Sequence, residues 1–223
     1  EELAKVSLYR GLAAEKDRNY EATVKYFEQS RAFYEDLDEP EEVAQRYLDI
    51  GNIYNLRLAD YMRALDYYAK AAEIYSDEMN DRAYIKVQID RADVLRRIGQ
   101  IDQAIVVLED VIPEIDNEED PVGWIRAMQK LANANYFASQ LIRARELNEE
   151  TLEHFDYMEE EYPKLNFKAR LPGILFDAIN FKGMILAKSG DRDGAFAAFA
   201  QAEKLVNKGG QESRLALLYN NIG

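Results

Sequence analysis

Apolar residues recur three and four positions apart along almost the whole chain, which is the period of an α-helix rather than that of a strand. The segment 40–56 (PEEVAQRYLDIGNIYNL) and the segment 60–75 (DYMRALDYYAKAAEIY) each carry one apolar face. Only 5 prolines and 11 glycines occur in 223 residues, so few breaks are available. The pattern therefore predicts an all-α protein made of amphipathic helices joined by short turns.

Small residues at the predicted helix centres reveal an internal repeat. Successive members are separated by 40, 41, 40, 51 and 40 residues: Gly11, Gly51, Ala92, Ala132, Gly183 and Gly223. A second small residue follows each of the first five after 12 or 13 positions: Thr23, Ala64, Ala104, Ala144 and Ala195. Three prolines precede the first series by eleven residues, at Pro40, Pro121 and Pro172, and proline is well tolerated at the first position of a helix. Each repeat therefore consists of two helices.

These spacings set the expected boundaries. We expect a single domain over residues 1–223, with repeats at about 1–39, 40–80, 81–120, 121–171 and 172–211 and a truncated first helix of a sixth at 212–223. Asp81 and Glu212 replace proline as acidic residues at a helix start. The fourth repeat carries an insertion after Thr151, which we interpret as an extended second helix that ends near Pro163 and precedes a longer loop.

The second repeat resembles the tetratricopeptide repeat (TPR) in the residues Ile50, Gly51, Tyr54, Tyr61, Ala64 and Tyr68. The fifth does so in Gly190, Asp191, Ala195, Phe199 and Ala202. The period of about 40 is similar to the longer-repeat branch that includes Pins-type adaptors, kinesin light chains and bacterial peptide-sensing regulators. The resemblance implies a right-handed superhelical solenoid of antiparallel helix hairpins. Glycines such as Gly51 and Gly183 would let helices approach closely, with the tyrosines as packing residues.

The composition restricts the classes of partner. The formal net charge of −14 disfavours nucleic acid and anionic membrane surfaces. The absence of cysteine excludes disulfides and thiolate metal sites but leaves the redox compartment open. No apolar run approaches the roughly 20 residues that span a bilayer, and the first residues show no targeting segment. We expect a cytoplasmic protein without a cofactor or a bound metal.

The sequence offers little for catalysis, so we do not expect an enzyme. His154 is the only histidine, has no serine nearby, and is expected to be a partly exposed helix residue. The acidic stretch EIDNEED, from Glu114 to Asp120, lacks the ligand spacing of a calcium loop and is interpreted as a solvated loop.

The resemblance implies that the first helix of each repeat lines a concave groove that holds peptides. Thirty positions map onto this groove, and eight of them are basic while five are acidic. In the whole chain the balance is the opposite, with 28 basic and 42 acidic residues. The groove therefore favours an acidic partner. We expect the peptide-binding residues to include Asn52, Lys86, Asp90, Arg126, Gln129, Asn133, Tyr136 and Asn180. Leu8 and Leu12 argue against a carboxylate clamp. The pairs Lys86/Asp90 and Asp93/Arg97 would alternatively form ion pairs along the helix surface.

Two functions remain open at this point. The first is a non-catalytic scaffold, or the sensor segment of a larger regulatory protein, that binds a protein or peptide in the groove. The second is self-assembly, for instance as a homodimer, through an uncapped C-terminal repeat that would expose Leu215, Leu218 and Ile222 unless another segment covers them.

Overall fold

The structure, a computed structural model, describes residues 1–209 and 212–222. All regular secondary structure in the described part of the chain is helical, so the predicted all-α class is confirmed. The chain forms two compact units, Glu1–Ile115 and Asp116–Gly223. Gly223 and the predicted end of the fifth repeat at residue 211 lie outside the described residues. The single domain over 1–223 stays a prediction.

Unit 1 contains three helix hairpins. Helices that are adjacent along the chain pack against each other, and a 3₁₀ turn, Ile112–Glu114, follows the last of them. The helices are α1 (Glu2–Lys16), α2 (Tyr20–Glu35), α3 (Pro40–Leu56), α4 (Tyr61–Asp77), α5 (Asp81–Arg97) and α6 (Ile101–Val111).

Unit 2 is built in the same way around a longer second helix. Its helices are α7 (Pro121–Phe137), α8 (Leu141–Glu161), α9 (Phe167–Arg170), α10 (Pro172–Lys188), α11 (Arg192–Gly209) and α12 (Glu212–Ile222). The expected extension of the second helix in the fourth repeat is confirmed by the 21 residues of α8. The loop expected after it contains the 3₁₀ turn Pro163–Leu165 and the single turn of α9.

The helix starts predicted from proline are confirmed. Pro40, Pro121 and Pro172 are the first residues of α3, α7 and α10, where a missing N–H leaves no intrahelical bond unmade. Side chains cap other helix starts: Asp60 accepts a hydrogen bond from the backbone N–H of Arg63 at 3.2 Å. Such a cap satisfies one of the orphan donors of the first helical turn.

The turn inside each repeat contains one residue in the left-handed backbone region. These residues recur at the repeat spacing and have φ between 52° and 88°: Arg18, Ala59, Gly99, Ser139 and Gly190. Only glycine adopts this conformation without a steric penalty from Cβ. The geometry of the turn is thus common to the five repeats, although only two of them use glycine there.

Close packing between the two helices of a repeat follows the predicted series of small residues. A Cβ added to Gly11, Gly51 or Gly183 would lie 2.5, 2.6 or 2.4 Å from an aromatic ring of the second helix, that of Phe27, Tyr68 or Phe199. The third and fourth repeats have alanine in place of this glycine and a non-aromatic residue in place of the ring, in the pairs Ala92/Leu108 and Ala132/Asn148. Glycine and the aromatic ring therefore occur together.

The core continues between neighbouring repeats within a unit. In unit 1 one apolar cluster runs from Phe27 of α2 through Leu48 and Tyr68 to Val87 and Val94 of α5. A hairpin alone could not bury this surface, which is the physical basis of a helical-repeat array. Among the described residues, no helix is both long enough and apolar enough to cross a membrane.

Candidate binding surface

The predicted groove residues of unit 1 lie on α1, α3 and α5, and several of them are hydrogen-bonded within the protein. The hydroxyl of the buried Tyr68 donates to Asn52 Oδ1 at 2.7 Å and accepts a hydrogen bond from Asn55 Nδ2 at 3.3 Å. Burial raises the pKa of Tyr68, so this hydroxyl stays protonated. The carbonyl oxygen of Asn52, predicted to hold a peptide, is thus already occupied.

Charged residues of α3 also have partners. Gln45 Nε2 donates to Asp49 Oδ1 at 2.9 Å, and Nε of the buried Arg46 lies 3.0 Å from Asp49 Oδ2. Burial raises the pKa of Asp49, while Arg46, Gln45 and Lys86 act in the opposite direction. Lys86 is exposed at the edge of this group.

Two basic residues at the end of α5 share one carboxylate. The buried carboxylate of Asp93 binds Arg97 Nε at 2.8 Å and Arg96 Nη2 at 3.2 Å. The hydrogen bond from Arg97 to Asp93 raises the pKa of Arg97. Asp90 is half-buried on the same helix. The alternative interpretation of Asp93/Arg97 as an ion pair along the helix surface is therefore confirmed, and it weakens the argument from the excess of basic residues in this unit.

The groove residues of unit 2 form what we call the α7–α10 face. It comprises Arg126, Gln129, Lys130, Asn133, Tyr136 and Phe137 of α7 and Asp177, Asn180, Phe181, Met184, Ala187 and Lys188 of α10. Its two helices are joined by polar contacts: Gln129 Nε2 donates to the carbonyl oxygen of Ile174 at 3.2 Å, and Lys188 Nζ donates to that of Tyr136 at 3.0 Å. Asn180 is buried and accepts a hydrogen bond from Asn221 of α12 at 3.1 Å.

Two polar side chains of this face have no partner in the part of the chain that the structure describes. Neither the exposed Arg126 nor the half-buried Asn133 makes a hydrogen bond or an ion pair to any residue that the structure describes. Their equivalents in the second repeat are Gln45 and Asn52, and both are hydrogen-bonded. Among the described residues, these two positions of the α7–α10 face therefore have unused hydrogen-bonding capacity where their equivalents on α3 are engaged.

The difference is explained by Asn148, a residue that the sequence analysis did not single out. Asn148 of α8 occupies the position of Tyr68, four residues after the small residue of the second helix. It carries no hydroxyl to reach Asn133, and it is buried with both Nδ2 and Oδ1 lacking a hydrogen-bond partner within the described chain. The repeat alignment already contained this signal, because the other four repeats have Phe27, Tyr68, Leu108 and Phe199 there.

Aromatic residues border the far end of the α7–α10 face. The ring of Tyr136 lies 5.6 Å from that of Phe137 and 5.5 Å from that of Phe181, centroid to centroid, both near edge-to-face. Lys188 Nζ lies 4.0 Å from the centroid of the Tyr136 ring, a cation–π contact. Phe137 remains 50% exposed, so this end offers an apolar contact surface to a ligand.

The acidic residue of the face is neutralised by α12. Arg214 Nη1 lies 3.0 Å from Asp177 Oδ1 and also donates to the carbonyl oxygen of Gly173. Burial raises the pKa of Asp177, and Arg214 and Lys130 oppose that rise. Arg126 and Lys130 are four residues apart on one helix face, so this part of the face carries two cations.

His154 is not the partly exposed residue that we expected. It is buried, and its Nε2 donates to the carbonyl oxygen of Asn117 at 3.1 Å. Its ring lies 4.7 Å from that of Trp124 and 5.8 Å from that of Tyr157, centroid to centroid. Burial lowers the pKa of His154, so the neutral form is favoured at neutral pH. These contacts give the only histidine a structural role in holding residues 117 and 118 against α8.

The acidic loop is ordered by its own side chains and by two tyrosines. Asp116 accepts hydrogen bonds from the backbone N–H groups of Glu118 and Glu119. Glu118 accepts from the hydroxyls of Tyr157, at 2.7 Å, and Tyr162, at 3.0 Å. The hydrogen bond to Glu118 raises the pKa of Tyr157 to about 12. Across the described residues, no group of three or more His, Asp or Glu side chains is arranged to hold a metal ion.

Paired helices in repeating units, with polar side chains on the first helix of each pair, define a TPR-like helical-repeat protein. The model of the family described as "SNAP: Soluble NSF attachment protein, SNAP" matches residues 4–119, which is more than half of the chain. The chain therefore belongs to this family. None of the curated proteins compared with the chain matches it.

Solved structures share the fold over almost the whole chain. Aspartyl phosphate phosphatase F from Bacillus subtilis is 17% identical with a TM-score of 0.80, covering 96% of this chain and 53% of that one. The Rap conjugation gene regulator of plasmid pLS20, in complex with the Phr* peptide, is 16% identical with a TM-score of 0.71, covering 95% and 55%. TPR-like repeats from Podosopora anserina are 14% identical with a TM-score of 0.68, covering 92% and 95%.

At these identities the likeness shows the fold alone. The chain spans about half of the length of the two Rap-type structures just described.

Proposed function

We propose that this protein is a non-catalytic module that binds another protein as an extended peptide on the α7–α10 face. The observation that carries the proposal is the contrast between equivalent residues of two repeats. Gln45 and Asn52 are hydrogen-bonded within the protein, whereas Arg126 and Asn133 have no partner in the described structure. An amide and a guanidinium on one helix face can hold a peptide backbone and a carboxylate.

The comparisons support this class of function. One protein of the same fold was solved in complex with the Phr* peptide, and the family description names an attachment protein. Both point to a role in which the chain holds a partner, as a scaffold or as the sensor segment of a longer regulatory protein. The neighbour called a phosphatase shares only the fold and supplies no reaction for this chain.

Selection of displayed random dodecapeptides on the immobilised protein, followed by fluorescence anisotropy with the selected peptides, tests the proposal. The double variant Arg126→Ala/Asn133→Ala should lose binding by at least about tenfold, because two polar contacts to the ligand disappear. Its Tm should change little, since neither side chain has a partner within the described protein. Arg192→Ala, an exposed arginine on α11, serves as the matched control. Unchanged binding by the double variant would dismiss the assignment to this face.

Self-assembly through α12 is a second candidate, supported by the exposed side chains of Leu217 and Ile222. Leu218, expected to be exposed unless another segment covers it, is completely buried, and α12 packs against α11. Arg214 and Asn221 of α12 also hydrogen-bond to Asp177 and Asn180 of α10. Light scattering of the wild type and of Leu217→Ser/Ile222→Ser tests it. A dimer that the double variant converts to a monomer would support self-assembly, and a monomer at every concentration would dismiss it.

A further inference from the structure

The α7–α10 face has different chemistry at its two ends. Arg126 lies in the second turn of α7 and Lys130 near its middle, whereas Tyr136 and Phe137 lie at its C-terminus. Arg126, Asn133 and Phe137 point in directions within about 40° of one another around the helix axis, given 3.6 residues per turn. All three are exposed or half-buried, while the opposite side of α7 is buried. A ligand that follows the helix therefore meets cations first, then an amide, then an apolar surface.

The helix termini strengthen this polarity. The N-terminal end of a helix carries partial positive charge and the C-terminal end partial negative charge. The N-terminal turn of α7 and Arg126 in the following turn are thus both positive. At the opposite end, Lys188 is engaged with the ring and the carbonyl oxygen of Tyr136, so its charge is directed at the helix terminus. An acidic group is favoured at the Arg126 end and an apolar group at the Phe137 end.

Arg126 and Phe137 are eleven residues apart, or about 16 Å along the helix axis. An extended peptide advances about 3.3 Å per residue, so this distance corresponds to about five residues. Asn133 lies between them, about 10 Å from Arg126 along the axis. Its amide has both a donor and an acceptor, which matches one peptide unit of an extended chain.

We propose that the ligand is an extended peptide segment with an acidic residue and an aromatic or large aliphatic residue about five positions apart. The acidic side chain binds Arg126 and Lys130, the apolar side chain packs on Phe137 and Met184, and Asn133 holds the backbone between them. This inference rests on the proposed function and adds the ligand's sequence requirement to it. The charge of the face selects the acidic residue, and the length of α7 sets the spacing.

The test begins with the dodecapeptides selected on the wild-type protein. Enrichment of sequences with Asp or Glu four to six positions from Phe, Leu, Met or Trp supports the proposal. Peptides that bind the face without such a pair, or with no preferred spacing, overturn it while leaving the proposed function intact. If no peptide binds at all, both the proposed function and this inference are wrong.

Charge reversal gives a second readout that misfolding cannot imitate. Arg126→Glu should change the selected residue at that position from acidic to basic and leave the apolar preference in place. Phe137→Ala should remove the apolar preference and keep the acidic one. Arg192→Glu and Phe196→Ala, exposed positions on α11, are the matched controls and should leave both preferences unchanged. An unchanged selection by Arg126→Glu contradicts the proposal.

Discussion

Tyr68 packs its ring directly against the backbone of Gly51, where an added Cβ would lie 2.6 Å from the ring. Three of the five repeats have such a glycine facing an aromatic ring, and the two repeats with alanine have Leu108 or Asn148 instead of the ring. The chain thus contains both solutions to the same packing problem, and this internal comparison supplies controls for mutagenesis.

Gly51→Ala should lower the free energy of unfolding by about 1–3 kcal/mol, because the methyl group overlaps a completely buried ring. In the background of Tyr68→Leu the same change should cost much less, since alanine facing leucine is the pairing of Ala92 and Leu108. Urea unfolding of the wild type, the two single variants and the double variant forms a double-mutant cycle that measures the coupling between residues 51 and 68. Equal costs in both backgrounds would show that the ring does not limit the size of residue 51.

The turn residues with positive φ predict opposite effects for two reciprocal substitutions. Gly99→Ala should lower stability by about 1 kcal/mol, since Gly99 has φ 85° and no neighbouring atom within 4 Å of the added Cβ, so only the backbone responds. Ala59→Gly, at the equivalent turn with φ 52°, should raise stability by a similar amount. Ala187→Gly, on the exposed side of α10, is the control and should lower it. If Ala59→Gly destabilises the protein, the Cβ of Ala59 does not strain the backbone at this turn.

Asn148→Leu should raise the free energy of unfolding by about 1–3 kcal/mol, because it removes two buried polar atoms that have no partner in the described protein. Ala132 then faces leucine, as Ala92 does in the third repeat. Asn135→Leu is the control: Asn135 is also buried, but its amide donates to the carbonyl oxygen of Leu131 at 2.9 Å, and its loss should destabilise the protein. If Asn148→Leu is destabilising instead, an internal water satisfies Asn148.

A hydroxyl restored at position 148 should compete with the ligand for Asn133. In Ala132→Gly/Asn148→Tyr the fourth repeat has the residues of the second, where the Tyr68 hydroxyl donates to Asn52. Peptides selected on the wild type should bind about tenfold more weakly, in line with one lost hydrogen bond to the amide. Ala132→Gly/Asn148→Phe fills the same volume without the hydroxyl and should keep the affinity. Equal losses in the two double variants would contradict the role of Asn133.

The buried His154 predicts a specific loss of stability in mild acid. Because burial lowers its pKa in the folded state, the unfolded chain binds the proton first, near its ordinary pKa of about 6.5. The stability that the neutral, buried His154 contributes is complete above that pH, and it is lost as the pH falls towards the lower pKa of the folded state. NMR titration of the single imidazole and urea unfolding between pH 5 and pH 8 measure it. His154→Gln should remove this pH dependence, and a folded pKa at or above 6.5 would contradict the prediction.

The sequence predicted the helical class, the repeat register and the proline helix starts because these depend on local propensity and on a period visible along the chain. It also placed Arg126, Asn133 and Tyr136 on one helix face, since the angle between residues of a helix follows from their numbers. It was wrong about His154 and left the burial of Leu218 open, because burial of a side chain depends on which neighbouring element covers it.

The sequence by itself determined that two helices alternate in each repeat and that small residues recur at the helix centres. Only the tertiary structure decided which of two equivalent side chains, Asn52 or Asn133, is hydrogen-bonded within the described protein. The reason is physical: a hydrogen bond between residues of two different helices requires the donor and the acceptor to approach within about 3 Å, and a packing geometry of that accuracy is not encoded in helical periodicity.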